Sequence, residues 1–320
     1  MSPLLFALAL FIVALLVYLG RYSARVRAEA TRFIAAPPDA VQARIADLSQ
    51  WQAWNPWLEH ARDALPTVEG HTLAWDVPHV GRARVTAVQP LRQQIAFALP
   101  FKYRGRSDWR LVPERDGTRV TWAFKGRVAF TLRAFATTVQ GATALDLRFG
   151  LDRLAATLEG GPTAYELNYT GVQELPARHI AQQPFRGPLD GLATELPPRI
   201  AALRQQLTAA GLPADGHAVV HYLKTHLKLR TVEGRLGIEL PAGAELPDGM
   251  TLHEQPAHAA LVLRYDGPPE SLELAWYQAM QRLRVEQLQP DPQRPPSARH
   301  VGDPVAGQRC TVQLQLPVKR

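Results

Sequence analysis

The sequence predicts an α+β protein in which an N-terminal helix precedes two domains built on antiparallel sheets. Three observations lead to this fold class: an uncharged apolar run over residues 4–19, many segments in which apolar side chains alternate with polar ones, and a few stretches with helical spacing. Alternation is typical of strands with one buried face, whereas apolar spacings of three and four are typical of helices. A chain of 320 residues is long enough for about two domains of roughly 100 to 200 residues each.

The apolar run LLFALALFIVALLVYL predicts a transmembrane anchor within residues 1–20. Twenty helical residues span about 30 Å, which is roughly the thickness of a hydrocarbon core. A cleaved secretory signal is the alternative, but residues 1–3 carry no basic side chain and the segment after the run offers a poor cleavage site. Four arginines and one glutamate lie between residues 21 and 32, and this positive flank predicts a single-pass membrane protein whose soluble domains lie in the cytoplasm.

Residues 21–160 are predicted to fold as the first domain, in the order strand, helix, several strands and long helix. Val41, Ile45, Leu48 and Trp51 share one helical face, and we expect Asn55-Pro56 to end that helix because proline has no amide hydrogen. Alternating strand rows follow at residues 73–77, 83–87, 95–99, 109–111 and 120–124. A stripe of leucines over residues 147–158 then predicts the long helix.

The stretch WQAWNPWLEH places Trp51, Trp54 and Trp57 within seven residues of the chain. Further aromatic side chains stand in the predicted inward strand rows, namely Trp75, Phe97, Trp109 and Trp122. Such a set can line a ligand pocket or can close the end of a core, and the sequence leaves both interpretations open.

Four segments of the first domain carry a family resemblance: RFIAAPPDAV, DLSQWQAWNPW, TRVTWAFKG and FGLDRLAATLE. In this order they resemble the SRPBCC or START-like superfamily, in its polyketide cyclase/dehydrase branch. The resemblance implies a helix-grip fold with a deep hydrophobic pocket for lipids, polyketide-like compounds or other hydrophobic ligands. It implies no single chemistry, and it places the seven aromatic residues named above at the predicted ligand site.

Residues 161–320 are predicted to form a second domain after a Gly-Gly-Pro joint. One helix is expected from the leucine spacing over residues 189–207, with a break or a restart at Pro197-Pro198, and another over residues 272–283. Strands are predicted in HAVVHYLKTHLKL, RLGIELP, AALVLRY and TVQLQLPV. The order of strand, helix and strands therefore occurs twice.

This duplicated half resembles the gyrase-inhibitor-like effector-binding domain in GVQELPARHIA, GLPADGHAVVHYLK, LGIELP, LELAWYQAMQRL and the GDP at residues 302–304. The resemblance implies a pseudo-twofold pair of sheet-and-helix units with a cleft for small, often lipophilic and cationic compounds. Tyr222, Tyr265 and Trp276 are its candidate cleft aromatics. Where many members have a glutamate before a tyrosine, this chain has Ala298 and His300, and this difference argues against cation binding and against the hydrolase activity of some relatives.

Charge and motifs exclude several function classes. The formal net charge is +7, with 20 basic and 13 acidic residues in 21–160 and 16 of each in 161–320. The basic stretch FKYRGRSDWR comes without a recognition helix, so a nucleic-acid partner is not expected. His217, His221 and His226 do not share one strand face, and with a single cysteine, Cys310, no metal site and no cofactor are predicted.

The function predicted from these features is membrane-anchored binding of hydrophobic small molecules or lipids without catalysis, as a sensor, carrier or sequestering protein. One alternative is a cyclase- or hydrolase-type enzyme acting in the START-like pocket, for which Asp76, Asp108 and His79 are the nearby polar residues. Another alternative is a protein-interaction module in the second domain, whose protein partner the sequence does not identify.

Overall fold

A computed structural model describes residues 3–21, 24–58, 66–77, 81–99, 102–161, 163–226, 229–246, 249–305 and 307–319. The chain folds into two compact units, which comprise residues 1–163 and 164–320.

Helix α1 extends over Pro3–Arg21 and contains the apolar run. Its side chains are largely exposed, as in Phe6 and Phe11, which keep 60% and 64% of their surface accessible. Within the described part of the chain, no helix is long and apolar enough to cross a membrane. The predicted transmembrane anchor, and with it the single-pass assignment, is therefore not supported.

The first unit is built on one antiparallel sheet, which in its described residues has the strand order β1-β7-β6-β5-β4-β3-β2. The strands are β1 Ala24–Ile34, β2 Thr67–Glu69, β3 Thr72–Val77, β4 Gly81–Gln89, β5 Arg92–Leu99, β6 Tyr103–Glu114 and β7 Gly117–Val128. The helices after α1 are α2 Pro38–Ala46, α3 Trp51–Trp54 and α4 Ala136–Glu159.

The core of the first unit lies between this sheet and the long helix α4. Leu147, Leu151 and Leu154 of the predicted leucine stripe are buried, and they belong to the same cluster as the buried strand residues Val85 and Val120. Helix α4 runs to Glu159 and ends at Gly160, whose φ of 66° is the left-handed conformation that favours glycine at a helix C-terminus.

The predicted first helix is interrupted at Asp47. Helix α2 ends at Ala46, and the Asp47 carboxylate accepts hydrogen bonds from the Ser49 backbone N–H at 3.0 Å and from the Gln50 side-chain amide at 2.6 Å. The hydrogen bonds from the side chains of Ser49 and Gln50 lower the pKa of Asp47. The prediction of one continuous helix was wrong because this local capping competes with helical hydrogen bonding.

The second unit is built on a larger antiparallel sheet with the strand order β12-β9-β11-β10-β14-β15-β13-β8 among its described residues. The strands are β8 Glu166–Leu175, β9 Arg178–Pro188, β10 Ala218–His226, β11 Thr231–Leu240, β12 Thr251–Gln255, β13 His258–Gly267, β14 Ser297–Val301 and β15 Cys310–Pro317. The helices are α5 Leu192–Ala209 and α6 Leu272–Val285.

The strand order has an internal twofold symmetry. The segments β9-α5-β10-β11 and β13-α6-β14-β15 have the same element order. In the sheet, β10, β11 and β9 lie at the same distances from the centre on one side as β14, β15 and β13 do on the other. Strands β8 and β12 lie at opposite edges, and each leads through two residues into the first strand of one segment. The predicted duplication and the α+β class are therefore confirmed.

Helix α5 continues through Pro197 and Pro198, where a break was predicted. Both prolines lie within the first seven residues of the helix, and its four buried side chains, from Leu196 to Leu207, lie at helical spacing. Most helical stability in proteins comes from packing of an apolar face. The prediction of a break was wrong because this packing outweighs the loss of adjacent amide donors.

Candidate functional site

Four of the predicted tryptophans form the inner part of an aromatic cluster in the first unit. Trp51, Trp54 and Trp122 have no accessible surface, and Trp109 keeps 7%. The Trp109 and Trp122 rings stack at 4.3 Å because these residues are direct neighbours on β6 and β7. Trp54 packs its edge against both rings at centroid distances of 5.8 Å, so α3 closes this end of the core.

Hydrogen bonds hold most of these inner rings in place. The Trp51 indole donates to the carbonyl oxygen of Ile45 at 2.9 Å, and the Trp109 indole donates to Oε1 of Gln93 at 2.9 Å. The Trp122 indole donates to Oγ of Ser107. Buried indole N–H groups usually find such partners, so the inner rings have the character of a packed core.

The outer part of the cluster is only half-buried. Trp57 lies parallel to Trp75 at 6.3 Å, and it meets the edge of Phe97 at 5.3 Å. Phe97 stacks in turn on Tyr103 at 4.4 Å. Trp57, Phe97 and Tyr103 all keep accessible surface, whereas Trp75 keeps only 5%. Trp57, Phe97 and Tyr103 therefore form an aromatic surface at the outer end of the core.

Polar groups of helix α4 meet this surface. The Trp57 indole N–H donates to Oδ2 of Asp146 at 3.0 Å. Burial raises the pKa of the Tyr103 phenol, the charge of Asp146 raises it further, and a hydrogen bond with Thr143 acts in the opposite sense. Tyr103 therefore stays protonated, and the aromatic surface has one polar end made of a phenol, an indole N–H and a carboxylate.

Tyr103, Thr143 and Asp146 were missed by the sequence analysis. Thr143 and Asp146 are spaced by three residues on α4, so they share a helix face beside Leu147 of the apolar stripe. This polar pair next to an apolar stripe was the available signal. Their contact with Trp57 and Tyr103 depends on how α4 lies across the sheet, which periodicity does not specify.

Two of the polar residues weighed for catalysis, Asp76 and Asp108, are held in ion pairs with arginines. Asp76 pairs with Arg82 at 2.7 Å, and both side chains are more than half exposed. Asp108 pairs with Arg92 and Arg106, each at 2.8 Å. Although burial opposes the shift, the hydrogen bonds from these arginines lower the pKa of Asp108. His79 lies outside the described residues.

Two of the three aromatic residues predicted in the second unit contact each other, and the third packs against a tyrosine that was not predicted. Tyr222 meets Trp276 of α6 edge to face at 5.2 Å. Tyr265 has no accessible surface, donates to the carbonyl oxygen of Pro268 at 2.5 Å, and packs against Tyr165 at 5.5 Å. The structure thus joins Tyr222 with Trp276 and gives Tyr265 a packing role.

The second unit also has a cleft of about 490 Å³. It is lined by Glu174 and by residues 257–259, 291–294 and 318–319. None of the aromatic residues predicted from the sequence belongs to this lining.

Most of the first unit matches the model of a known family. Residues 25–159 match the family model described as polyketide cyclase / dehydrase and lipid transport. The predicted resemblance of the first unit is therefore confirmed. No curated protein matches the chain.

Several solved structures align with part of the chain. The C-terminal domain of EcmrR is 18% identical, with a TM-score of 0.39, over 49% of this chain and 98% of that domain. A protein from Thermus thermophilus is 21% identical, with a TM-score of 0.32, over 42% of this chain and 97% of that protein. Norcoclaurine synthase from Thalictrum flavum, solved with dopamine and hydroxybenzaldehyde, is 11% identical, with a TM-score of 0.35, over 46% of this chain and 94% of that enzyme.

Proposed function

We propose that the first unit binds a hydrophobic small molecule or lipid at the aromatic surface of Trp57, Phe97 and Tyr103, without chemical conversion. The family match of residues 25–159 supports a ligand of this class. The observation that carries the proposal is the gradient of burial along the cluster, from fully buried Trp51 and Trp54 to half-buried Trp57.

The half-buried rings favour an apolar ligand for a physical reason. Aromatic side chains bury about 150 to 250 Å² each when fully covered, so partly covered rings retain apolar area that a ligand can remove from water. Asp146 and Tyr103 lie at one end of this surface and supply hydrogen-bonding groups that orient a ligand with one polar end. The ligand is therefore apolar over most of its length and polar at one terminus.

The enzyme alternative has less support. A general acid or base needs a titratable group within hydrogen-bond reach of the bound molecule. Asp76 and Asp108 are engaged by arginines, and the raised pKa of Tyr103 disfavours a phenolate. Asp146 lies within that reach, but its Oδ2 atom already accepts a hydrogen bond from the indole N–H of Trp57. The second alternative, a protein-interaction role for the second unit, rests on family resemblance alone.

The proposal is tested by titrating the full-length protein with a neutral fluorescent hydrophobic probe, N-phenyl-1-naphthylamine. We expect saturable binding with energy transfer from tryptophan to the probe. Replacing Trp57 by Ala removes ligand contacts from a half-buried site, so it is expected to weaken binding about tenfold while lowering stability less than a core substitution does.

Trp51→Ala is the matched control from the same aromatic segment. Its ring is fully buried, so its loss is expected to cost about 3 to 5 kcal/mol of stability, with a smaller effect on probe affinity of the remaining folded protein. Equal effects of both variants on affinity, or no saturable binding by the parent protein, would mean that the whole cluster is only packing.

A further inference from the structure

The second unit contains two arginines that share one carboxylate on a single face of its sheet. Arg299 binds Glu239 through two contacts, Nε to Oε1 at 2.8 Å and Nη2 to Oε2 at 3.1 Å. Arg178 approaches the same Oε1 atom with its Nε at 3.4 Å. Neither guanidinium makes another ion pair among the residues that the structure describes, so the triad carries a net charge of one positive unit.

The triad is largely removed from water. The side chains of Arg178, Glu239 and Arg299 keep only 14%, 16% and 18% of their surface accessible. Burial lowers the pKa of Arg178, and the charge of Arg299 acts in the same direction. A surplus positive charge in such a place is costly unless an anion compensates it.

A buried amide donor without an acceptor lies beside the triad. Gln315 has no accessible surface, and its Oε1 atom accepts from Nη1 of Arg178 at 3.3 Å and from Oγ of Ser297 at 3.3 Å. Its Nε2 atom is buried and has no hydrogen-bond partner within the described ranges. Leaving such a donor unsatisfied costs about 1 to 3 kcal/mol.

Strand pairing places these groups on one sheet face. Ser297 and Gln315 are direct neighbours on β14 and β15, and Arg299 lies two residues from Ser297, so it points to the same side. Ala298 and His300 alternate with them and point to the opposite side. The triad therefore lies on the sheet face opposite to Ala298 and His300.

We propose that Arg178, Arg299 and the Gln315 amide form a binding site for a small oxyanion, a carboxylate or a phosphate. The planar guanidinium groups match the paired oxygen atoms of such an anion. One anionic oxygen accepts from Nε2 of Gln315, and the charge of the anion balances the surplus positive charge. Glu239 is a positioning residue that orients both guanidinium groups. The anion reaches the site from solvent through the side on which Arg178 and Arg299 keep accessible surface.

The test is calorimetric titration of the full-length protein at constant ionic strength, with acetate, octanoate and inorganic phosphate in separate arms and chloride as the reference anion. Saturable binding of a carboxylate or of phosphate is expected, and comparing the arms identifies the source of the oxyanion. A stronger response to octanoate than to acetate identifies an organic acid with an apolar tail. Absence of saturable binding in every arm at millimolar concentrations overturns the proposal.

Two substitutions have effects of opposite sign. Arg178→Gln is expected to weaken binding at least about tenfold, whereas Glu239→Gln removes the internal competitor for the arginines and is expected to strengthen it. Acetate should also raise the melting temperature of Glu239→Gln more than that of the parent protein. A purely structural triad predicts lower melting temperatures for both variants with no response to acetate, and this result contradicts the proposal.

Arg186→Gln is the matched control on the same two strands. Arg186 of β9 pairs with Glu233 of β11 at 3.6 Å, but its side chain is 67% exposed. Anion affinity is expected to stay within about twofold of the parent value in this variant. An equal loss in Arg186→Gln and Arg178→Gln indicates a nonspecific effect of positive charge and overturns the assigned site.

Discussion

At Gly150, helix α4 lies against Trp122 of the tryptophan cluster. A Cβ atom at this position would lie 2.6 Å from Cζ3 of Trp122 and 2.9 Å from Cδ of Pro56. Neither ring can move far in a packed core. Gly150→Ala is therefore expected to lower the free energy of unfolding by about 1 to 3 kcal/mol, measured by urea denaturation.

Gly141 of the same helix provides the control for that substitution. A Cβ atom there meets nothing within 4 Å. Since alanine favours helix over glycine by about 1 kcal/mol, Gly141→Ala is expected to stabilise the protein. Destabilisation by both variants would contradict the packing explanation for Gly150.

His300 is a buried residue whose imidazole nitrogens are not hydrogen-bonded to any described residue. It keeps 3% of its surface accessible. Burial lowers its pKa to about 4. His300→Phe removes these unsatisfied groups at similar volume, so we expect equal or greater stability at pH 7 in thermal unfolding experiments. A marked loss of stability would show that the imidazole makes a stabilising polar contact in the folded protein.

At the scale of elements, helix α4 is joined to strand β1 by an ion pair between Arg32 and Asp152. Asp152 keeps 12% of its side-chain surface accessible, and burial raises its pKa despite the opposing charges of Arg32 and Arg148. Arg32→Gln leaves this carboxylate without its main partner, so it is expected to cost about 2 kcal/mol at pH 7. Asp152→Asn is expected to cost less.

The pH dependence separates these two variants. Loss of Arg32 raises the pKa of Asp152 further, so the folded state of Arg32→Gln takes up a proton more readily than the unfolded state. Its deficit in unfolding free energy should therefore shrink as the pH falls from 7 to 5. A deficit that is the same at both pH values would argue against a buried carboxylate as its cause.

The elements that the sequence predicted well are those whose pattern reflects burial on one face. The alternating rows at Trp75 and Trp122 became strands, and the leucine stripe of α4 became the helix that covers them. The break at Asp47 and the continuity of α5 through Pro197 were missed because they depend on side-chain capping and on packing. The contact of Asp146 with Trp57 was missed because it joins elements that are far apart in sequence.

At the scale of the whole molecule, acidification is expected to affect the two units differently. His221 and His300 of the second unit are buried, and burial is the main cause that lowers their pKa values from 6.5 to about 4. Both side chains are therefore neutral at pH 7. As the pH falls, these two histidines take up protons in the unfolded chain at a higher pH than in the folded unit. The free energy of unfolding is therefore unaffected by them above about pH 6.5, and it falls by a few kcal/mol as the pH approaches 4.

Thermal unfolding of the full-length protein at pH 7 and pH 5 measures the loss of stability on acidification. Tryptophan fluorescence reports mainly on the first unit, which contains six of the seven tryptophans, so the second unit needs a separate measurement. Hydrogen exchange followed separately for the two units should show greater loss of protection in the second at pH 5. The difference should diminish in His300→Phe, and equal losses in both units would contradict the assignment.

In the proposed function, the first unit holds a hydrophobic ligand at the surface of Trp57, Phe97 and Tyr103. The most direct measurement is native mass spectrometry of the full-length protein after incubation with a mixture of cellular lipids and removal of the excess. We expect one added small-molecule mass per chain in the parent protein and in Gly141→Ala, and a strongly reduced population of the bound form in Trp57→Ala. A parent protein that appears only at its own mass, or adducts that are undiminished in folded Trp57→Ala, would contradict the claim.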